Sequence, residues 1–361
     1  MPAASILSPV EHAPTLIDQA IERLRDERLP FTKDPGDTRV LSIASRPFSY
    51  VARVECGSTE AARRVIVKIP KLKAGRTDQR VPKLKLEIAA AQALAFALKG
   101  ESELSVPDVV AFYPEIPALV WAEVSGETLE SVATRYAKGV PGRAALARLE
   151  HAFHGAGRWL RVLQDGSSVE GREFSLTEMV DYVDVRLRRI SDLGPKGLDA
   201  AWQANVRRVF QEARLSADDR RLTAVHGDFS LSNIMLDGAR VVAIDFSRFG
   251  IGSTYYDVSR LYHQVGLLRH KPWFLPSTVA RLRGALLNGF DPNLRPDQPL
   301  FQLFLIQHLL CHWLGLLKMS SGVSLPVRGF NRWVGFRHRR ELAHLVDQLH
   351  PHALELAPAR P

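Results

Sequence analysis

The stretch HGDFSLSNIMLDGARVVAIDF, residues 226–246, is the part of the chain that decides its fold. It opens with H-x-D-x-x-x-x-N, so His226, Asp228 and Asn233 share one short segment, and Asp245 follows twelve residues after the asparagine. A carboxylate and an amide in one loop suit a proton acceptor beside a ligand for a hard cation. A second carboxylate nearby would supply the oxygen ligands that Mg²⁺ prefers, and this ordered set favours phosphoryl transfer.

A hairpin is predicted between the asparagine and the second aspartate. Asp237-Gly238 is typical of a type I′ turn, which needs positive φ at both central positions. Such a turn joins NIML to ARVVAIDF and carries Asn233 and Asp245 toward the open end of the hairpin. We expect His226 and Asp228 to arrive at that end from the preceding loop.

The stretch 226–261, HGDFSLSNIMLDGARVVAIDFSRFGIGSTYYDVSRL, resembles the aminoglycoside phosphotransferase and choline kinase-like family, which has the protein-kinase-like fold. The order of elements is similar over roughly residues 40–320, although the specific motifs are concentrated in 224–261. The resemblance implies an α+β protein with two lobes, a small antiparallel-sheet N-lobe and a mainly helical C-lobe. Its expected divisions are an N-terminal helical extension (1–34), the N-lobe (35–124) and the C-lobe (125–361).

The resemblance also implies roles for the residues of this stretch. Asp228 would be the catalytic base that orients the acceptor hydroxyl, and Asn233 and Asp245 would bind Mg²⁺. His226 would brace the loop, and Asp257 would be the buried helix aspartate that anchors it.

The N-terminal third reads as strands and one helix. Apolar alternation predicts strands at 39–44, 49–56, 63–70 and 118–124, and a helix fits 84–98. Within RRVIVKIPK, Lys68 lies late in a strand, as the lysine of V-A-I-K does, whereas the alternatives Lys71 and Lys73 fall beyond Pro70. Glu87, on the helix, would pair with Lys68 and direct it to the phosphates of ATP.

Other nucleotide contacts are expected from the same resemblance. WAEVSGETL resembles the hinge that meets adenine, through backbone groups near Glu123 and Val124, with Met235 and Ile244 lining the floor. Ser45 and Ser49 flank the loop that would cover the phosphates. That loop has no glycine, although close backbone approach to phosphate favours glycine, so serine hydroxyls or Arg46 would have to serve instead.

Charge is unevenly distributed along the chain. The 361 residues include 48 Lys and Arg against 39 Asp and Glu, and nine of the basic residues lie in 63–85. A second basic run, LPVRGFNRWVGFRHRR (325–340), follows a long stretch without acidic residues. These zones favour anionic ligands, and peripheral contact with an anionic membrane is one interpretation, although a solvated charged face is the alternative.

Several classes are excluded or disfavoured by pattern. Two cysteines cannot build a disulfide framework or a cysteine zinc site, and the N-terminus has no pattern of a secretory signal, so a cytoplasmic protein is expected.

The apolar stretch 300–317 is interrupted by polar residues and is interpreted as a buried helix, with no transmembrane span. His308 and His312 within it lack the glutamate of H-E-x-x-H, which favours core packing. No nucleic-acid partner is expected, because no zinc knuckle, KH-type or RNP signature is present.

The expected activity is a phosphotransferase with an alcohol acceptor. Asp257 follows Asp245 by only twelve positions and no A-P-E follows, so the segment is short for a protein kinase. A neutral or anionic small molecule or glycan is favoured over a polycationic acceptor because of the basic C-terminal third. The alternatives are a non-catalytic kinase-like nucleotide-binding scaffold and an aminoglycoside- or choline-type kinase.

Overall fold

The computed structural model describes residues 13–27, 38–57, 62–72, 78–167, 169, 171–193, 200–319 and 323–354. The chain forms two compact units. The N-terminal unit comprises residues up to Glu127 together with Met235–Phe249, and the C-terminal unit comprises Thr128–Ile234 and residues from Gly250 onward. The sequence prediction divides the chain at 124/125 and does not anticipate that the hairpin segment belongs to the N-terminal unit.

The helices and strands follow in chain order. The first part contains α1 (Ala13–Asp26), β1 (Thr38–Ser45), β2 (Ser49–Cys56), β3 (Arg63–Pro70), α2 (Arg80–Ala97), β4 (Leu104–Ser105), β5 (Val109–Tyr113), β6 (Ala118–Ala122) and β7 (Glu127–Thr128). The remainder contains α3 (Leu129–Tyr136), α4 (Arg143–Asp165), α5 (Leu176–Leu193), α6 (Ala200–Glu212), β8 (Leu222–Val225), β9 (Ile234–Asp237), β10 (Arg240–Ala243), β11 (Gly250–Ser253), α7 (Tyr256–Leu267), α8 (Pro276–Phe290), α9 (Pro299–Lys318) and α10 (Leu325–Leu354). Short 3-10 turns occupy Asp218–Arg220 and Leu268–His270.

The N-terminal unit is built on an antiparallel sheet of five strands in the order β1-β2-β3-β6-β5. Val65, Val67 and Ile69 alternate inward along β3, which is the period-2 pattern of a half-buried strand. Helix α1 packs its apolar stripe, including Ile17 and Ile21, into the same core. The antiparallel sheet is therefore confirmed, with one strand, β5, that the sequence patterns did not predict.

The predicted hairpin forms, but its turn differs from the prediction. β9 and β10 are neighbours in a sheet of order β4-β10-β9-β7, and Asp237 is the last residue of β9. The turn therefore centres on Gly238 and Ala239. Gly238 has a φ of 64°, whereas Ala239 is not among the described residues with positive φ. The type I′ prediction is wrong, because that turn requires positive φ at both positions.

The C-terminal unit is mainly helical, as expected. Pro276 and Pro299 begin α8 and α9, where the missing N–H costs no intrahelical hydrogen bond. Among the described residues, α9 is the single helix long and apolar enough to cross a membrane, but 78% of its apolar window is buried inside the protein. The α+β class, with an antiparallel-sheet N-terminal region and a helical C-terminal region, is confirmed.

Candidate active site

In the N-terminal unit, Lys68 lies between two carboxylates. Its Nζ donates to Glu87 Oε1 at 2.7 Å and to Asp245 Oδ1 at 2.8 Å. The Lys68 and Glu87 side chains are only 14% and 3% exposed, whereas that of Asp245 is 39% exposed. The expected pair of Lys68 with Glu87 is present, and Asp245 joins it from a position 177 residues further along the chain.

The pKa shifts in this triad follow from burial and pairing. Burial alone would lower the pKa of Lys68, but the two carboxylates more than offset it and raise this pKa above its ordinary value. Burial raises the pKa of Glu87, against the opposing effect of Lys68. The pKa of Asp245 is lowered, because the Lys68 ammonium and the Ser247 hydrogen bonds outweigh burial. Pairing with Lys68 thus favours the charged form of Asp245.

Asp245 also has an unusual backbone. Its φ is 67°, in the left-handed region, which costs about 1–3 kcal/mol for a residue with a side chain. The N–H of Phe246 donates to Glu87, and the N–H of Ser247 approaches Asp245 Oδ1 at 3.4 Å. These bonds stabilise the left-handed backbone and direct the carboxylate of Asp245 toward Lys68.

The glycine-free loop between β1 and β2 closes on itself. The N–H of Arg46 donates to the carbonyl of Ser49 at 2.8 Å. Lys71 Nζ donates to Ser45 Oγ at 2.9 Å and lies 4.7 Å from the centre of the Tyr50 ring. The alternative lysine Lys71 therefore belongs to this loop and not to the Glu87 pair. Lys73, the other alternative, lies outside the described residues.

The expected hinge residues continue the sheet. The N–H of Glu123 donates to the carbonyl of Arg64 at 2.9 Å, and its carboxylate pairs with Arg53 Nε at 2.5 Å. The N–H of Glu123 is therefore used by the sheet. Val124, Met235 and Ile244 are each half-buried.

In the C-terminal unit, Asp228 follows β8 and is held by an arginine that the sequence analysis missed. Arg260, on α7, donates to Asp228 Oδ1, and the two side chains are 25% and 24% exposed. The Nδ2 of Asn233 donates to the carbonyl of Asp228 at 3.0 Å. The carboxylate is thus oriented by the ion pair, and the amide oxygen of Asn233 remains for another ligand.

Buried bonds hold the backbone before Asp228. The Asp257 carboxylate accepts from the N–H of His226 at 2.6 Å and from that of Gly227 at 3.1 Å. Burial raises the pKa of Asp257 to about 6, against the lowering effect of these donors and of Arg260. Gly227 has a φ of 77°, which a residue with a side chain rarely adopts. Asp257 thus occupies the anchoring position that the resemblance implied.

Aromatic packing completes the support of this loop. The rings of Trp159 and Phe229 stack at 5.3 Å, and His226 contacts both edge-on. His226 is fully buried, and its Nδ1 accepts a 3.3 Å hydrogen bond from the N–H of Asp228. His226 therefore braces the loop from inside.

Arg260 could have been found from the sequence only by its place in YDVSRL. It lies three residues after Asp257, so both side chains fall on neighbouring positions of one helix turn. That spacing makes it possible for one helix to anchor the backbone before Asp228 and pair with its carboxylate.

Comparisons with known proteins identify the family of the chain. A sequence profile described as a phosphotransferase enzyme family, APH, matches residues 52–299. No curated protein matches the chain significantly.

Solved structures share the protein-kinase-like fold. The chain is similar to a choline/ethanolamine kinase family protein from Mesorhizobium loti, with 18% identity, a TM-score of 0.52 and coverage of 92% of this chain and 99% of that one. It is also similar to choline kinase from Cryptosporidium parvum, with 12% identity, a TM-score of 0.56 and coverage of 92% and 97%. Amicoumacin kinase hAmiN, in complex with AMP-PNP, Ca²⁺ and Ami, shows 14% identity, a TM-score of 0.52 and coverage of 95% and 96%. The family profile spans well over half of the residues, and the chain therefore belongs to the phosphotransferase enzyme family.

Proposed function

We propose that this phosphotransferase is an ATP- and Mg²⁺-dependent kinase that phosphorylates a hydroxyl of a small molecule or glycan. The observation that carries the proposal is the triad of Lys68, Glu87 and Asp245. A buried ammonium costs much desolvation energy, and two carboxylates within 2.8 Å stabilise it in a fixed orientation. A structural role alone would need one carboxylate, so the second, half-exposed one points to a ligand.

The residues present fit a hard cation. The triad has two carboxylates against one ammonium, so its net negative charge attracts an added cation. Asn233 offers its amide oxygen, because its nitrogen is already bound to the Asp228 carbonyl. Carboxylate and amide oxygens are ligands that Mg²⁺ accepts, and we assign Asp245 and Asn233 to that ion. When bound, Mg²⁺ neutralises phosphate charge as it develops.

Asp228 is assigned as the group that receives the proton of the acceptor hydroxyl. Arg260 occupies its Oδ1, which leaves Oδ2 for the acceptor. His226 and Asp257 would act as positioning residues, because they bind the backbone of the loop and not the carboxylate itself. Lys68, oriented by Glu87, would bind the phosphates of the nucleotide.

The remaining nucleotide contacts are proposed for the sheet and its loop. Because the N–H of Glu123 is used by β3, the adenine edge would be met by the Glu123 carbonyl and the Val124 N–H. Met235 and Ile244 would supply apolar contact for the base. At the β1–β2 loop, which lacks glycine, Ser45 holds the cationic Lys71, and Ser49 closes the turn.

The acceptor is proposed to be neutral or anionic. No acidic residue falls between Asp297 and Glu341, and the arginines at 332, 337, 339 and 340 are exposed on α10. A polycationic acceptor would be repelled by this field, and an anionic one attracted. The proposed setting is cytoplasmic, without a nucleic-acid partner.

A coupled assay of ADP release from MgATP tests the function. Acceptors are pooled by charge: neutral sugars and polyols, phosphorylated or carboxylated glycans, and aminoglycosides with choline. Turnover with a neutral or anionic pool, abolished in Asp228→Asn, is expected. MgATP binding without turnover in any pool would favour the non-catalytic scaffold, and turnover only with the cationic pool would favour the aminoglycoside- or choline-type kinase.

Peripheral contact with an anionic membrane is also proposed, at the first half of α10. Phe330, Trp333 and Phe336 are 41%, 44% and 58% exposed, and their spacing of three residues places them near one another on the helix. Arg337 lies 5.9 Å from the Trp333 ring and Arg340 lies 6.0 Å from that of Phe336. Aromatic side chains among arginines are typical of helices that lie in the interface of anionic bilayers. A second copy of the chain would place arginines against arginines, which disfavours self-association through this face.

Vesicle sedimentation tests the contact. Binding to vesicles with phosphatidylglycerol, and not to neutral phosphatidylcholine vesicles, is expected, and it should weaken with salt. The double variant Trp333→Ser, Phe336→Ser should lose binding, whereas Phe96→Ser, at an exposed phenylalanine of α2, should keep it. Equal binding by both variants would place the contact elsewhere.

A further inference from the structure

Five histidines gather inside the C-terminal unit. They come from separate segments: His263 on α7, His270 in the following 3-10 turn, His308 and His312 on α9, and His338 on α10. The ring of His338 lies 5.0 Å from that of His312, 5.4 Å from that of His270 and 6.2 Å from that of His263, centre to centre. Neither the proposed phosphoryl transfer nor the α10 surface makes use of them.

Three of the five, His263, His270 and His338, have buried ring nitrogens without hydrogen-bond partners among the described residues. His338 is fully buried, and its Nε2 shares a 2.7 Å hydrogen bond with His312 Nδ1. Its Nδ1 has no hydrogen-bond partner among the described residues, and neither ring nitrogen of His270 has one, although that residue is only 3% exposed. Buried polar groups without partners are rare in native proteins, and an ion or an ordered water commonly explains them.

A carboxylate lies beside these nitrogens. Glu341 follows His338 by one turn of α10, and one ligand atom from each of His270, His338 and Glu341 lies within 4.8 Å of the other two. Arg269 Nη2 donates to Glu341 Oε2 at 2.5 Å, which orients the carboxylate and leaves Oε1 for a further ligand. His308, in contrast, bonds to Ser259 and the Tyr256 carbonyl, so the core-packing interpretation fits that residue.

We propose that His270, His338 and Glu341 form a binding site for a divalent transition metal of the Zn²⁺ type. Two imidazole nitrogens and one carboxylate suit Zn²⁺ or Co²⁺, and do not suit Mg²⁺, so this site is separate from the one proposed at Asp245. His312 acts as an outer partner: when His338 donates from Nε2 to His312, the Nδ1 lone pair of His338 is free to bind metal. Outer hydrogen bonds of this kind fix the tautomer of metal-binding histidines.

The protonation state of the histidines is compatible with binding. Burial lowers the pKa of His270 to about 4 and that of His338 to about 2, assisted by the charge of Arg269. Both are therefore neutral at pH 7, the form that ligates metal. The nearby Arg269 and Arg337 oppose a dication, and the Glu341 carboxylate is the group that offsets them.

A metal at this site would have a structural consequence. His270 belongs to the turn after α7, and the other two ligands belong to α10. The metal would therefore join the start of the α7–α8 connection to α10 and stabilise both against unfolding.

Metal titration of the full chain, prepared without a histidine tag and stripped with EDTA, tests the site. We expect one equivalent of Co²⁺ to give the d–d absorption of a protein-bound ion, Zn²⁺ to displace it, and Zn²⁺ to raise the melting temperature. His338→Asn and His270→Asn should lose the absorption. His344→Asn, at an exposed histidine of α10, should keep it.

The outcomes separate the possibilities. If the wild type binds no Co²⁺ or Zn²⁺, the nitrogens are met by water and the proposal is wrong. If it binds but all variants bind equally, the metal lies elsewhere. Should His338→Asn fail to fold, Glu341→Gln and His270→Asn decide in its place. Binding of MgATP to the stripped protein, measured alongside, separates this proposal from the proposed function.

Discussion

Arg260 on α7 pairs with the carboxylate of Asp228. Asp257, three residues before Arg260 on the same helix, anchors the backbone that precedes Asp228. One helix turn therefore holds both the peptide and the side chain of the residue assigned as the base. A cation on Oδ1 restricts the carboxylate to one orientation, which suits a group that must meet a hydroxyl from a fixed direction.

Asp228→Asn should remove turnover and leave MgATP binding largely intact. The amide cannot accept the proton, and the loss of a general base is worth about 10²–10⁴-fold in rate. Asp245→Asn should instead weaken MgATP binding itself, because it removes a proposed metal ligand. Single-turnover kinetics and equilibrium nucleotide binding measure the two effects. Wild-type turnover by Asp228→Asn would show that the base is another residue.

Lys68→Met should lower kcat/KM for ATP by about 10²-fold or more, because a fixed charge on the phosphates is lost. Lys85→Met is the matched control: Lys85 lies in the same basic zone but is exposed on α2. Initial rates over a range of ATP concentrations measure both variants. An equal effect of the two would mean that the zone acts by general charge and not through the triad.

Arg260→Gln should lower kcat with little change in KM for ATP, since Arg260 orients Asp228 and is not assigned to the nucleotide. Arg260→Lys should restore part of the rate, because it keeps the charge but not the planar donor. Arg281→Gln, which breaks an exposed pair with Glu150, serves as the control. A rise in KM for ATP at unchanged kcat would contradict the positioning role.

Asp257→Asn should destabilise the protein by about 1–3 kcal/mol, because the amide presents N–H groups to the buried N–H donors of His226 and Gly227. Urea unfolding measures the free energy. Turnover should fall as well, since the loop loses its anchor. Unchanged stability would mean that the backbone finds other partners, such as water.

The free energy of unfolding should fall at low pH, partly because of His308. Burial lowers the pKa of His308 to about 3, so in the folded protein it stays neutral while the unfolded chain takes up a proton below its ordinary value of 6.5. The stability of the folded state is therefore greatest above that value and falls as pH falls toward 3, by up to about 1.4 kcal/mol per pH unit. His308→Gln can still accept a hydrogen bond from Ser259. Between pH 7 and pH 5, its free energy of unfolding in urea should fall less than that of the wild type. Parallel losses in the two proteins would rule out His308 as the cause.

The sequence by itself determined the family and the fold class, and it supplied the residues that we propose for the chemistry. Local order was enough for this: H-x-D-x-x-x-x-N, a hairpin and a second aspartate occupy one short stretch, and the alternation in RRVIVKIP marks a strand with Lys68 near its end. Patterns of this kind are local, because periodicity and turn chemistry depend on near neighbours. The same locality explains why the sequence patterns do not predict β5 and predict the wrong turn at Gly238. The pairing of β5 with β6 and the position where β9 ends depend on residues elsewhere in the chain.

Only the tertiary structure decided which charges meet. The sequence does not predict that Arg260 pairs with Asp228 or that Lys71 bonds to Ser45. It also does not predict that His270, His338 and Glu341, from two separate elements, lie together. His338 belongs to a basic run in the sequence, but in the structure it is buried, and burial lowers its pKa to about 2, so it is neutral at pH 7. The physical reason is that ion pairs and desolvation depend on distance and burial, which are set by the packing of whole helices and not by the spacing of residues along one of them.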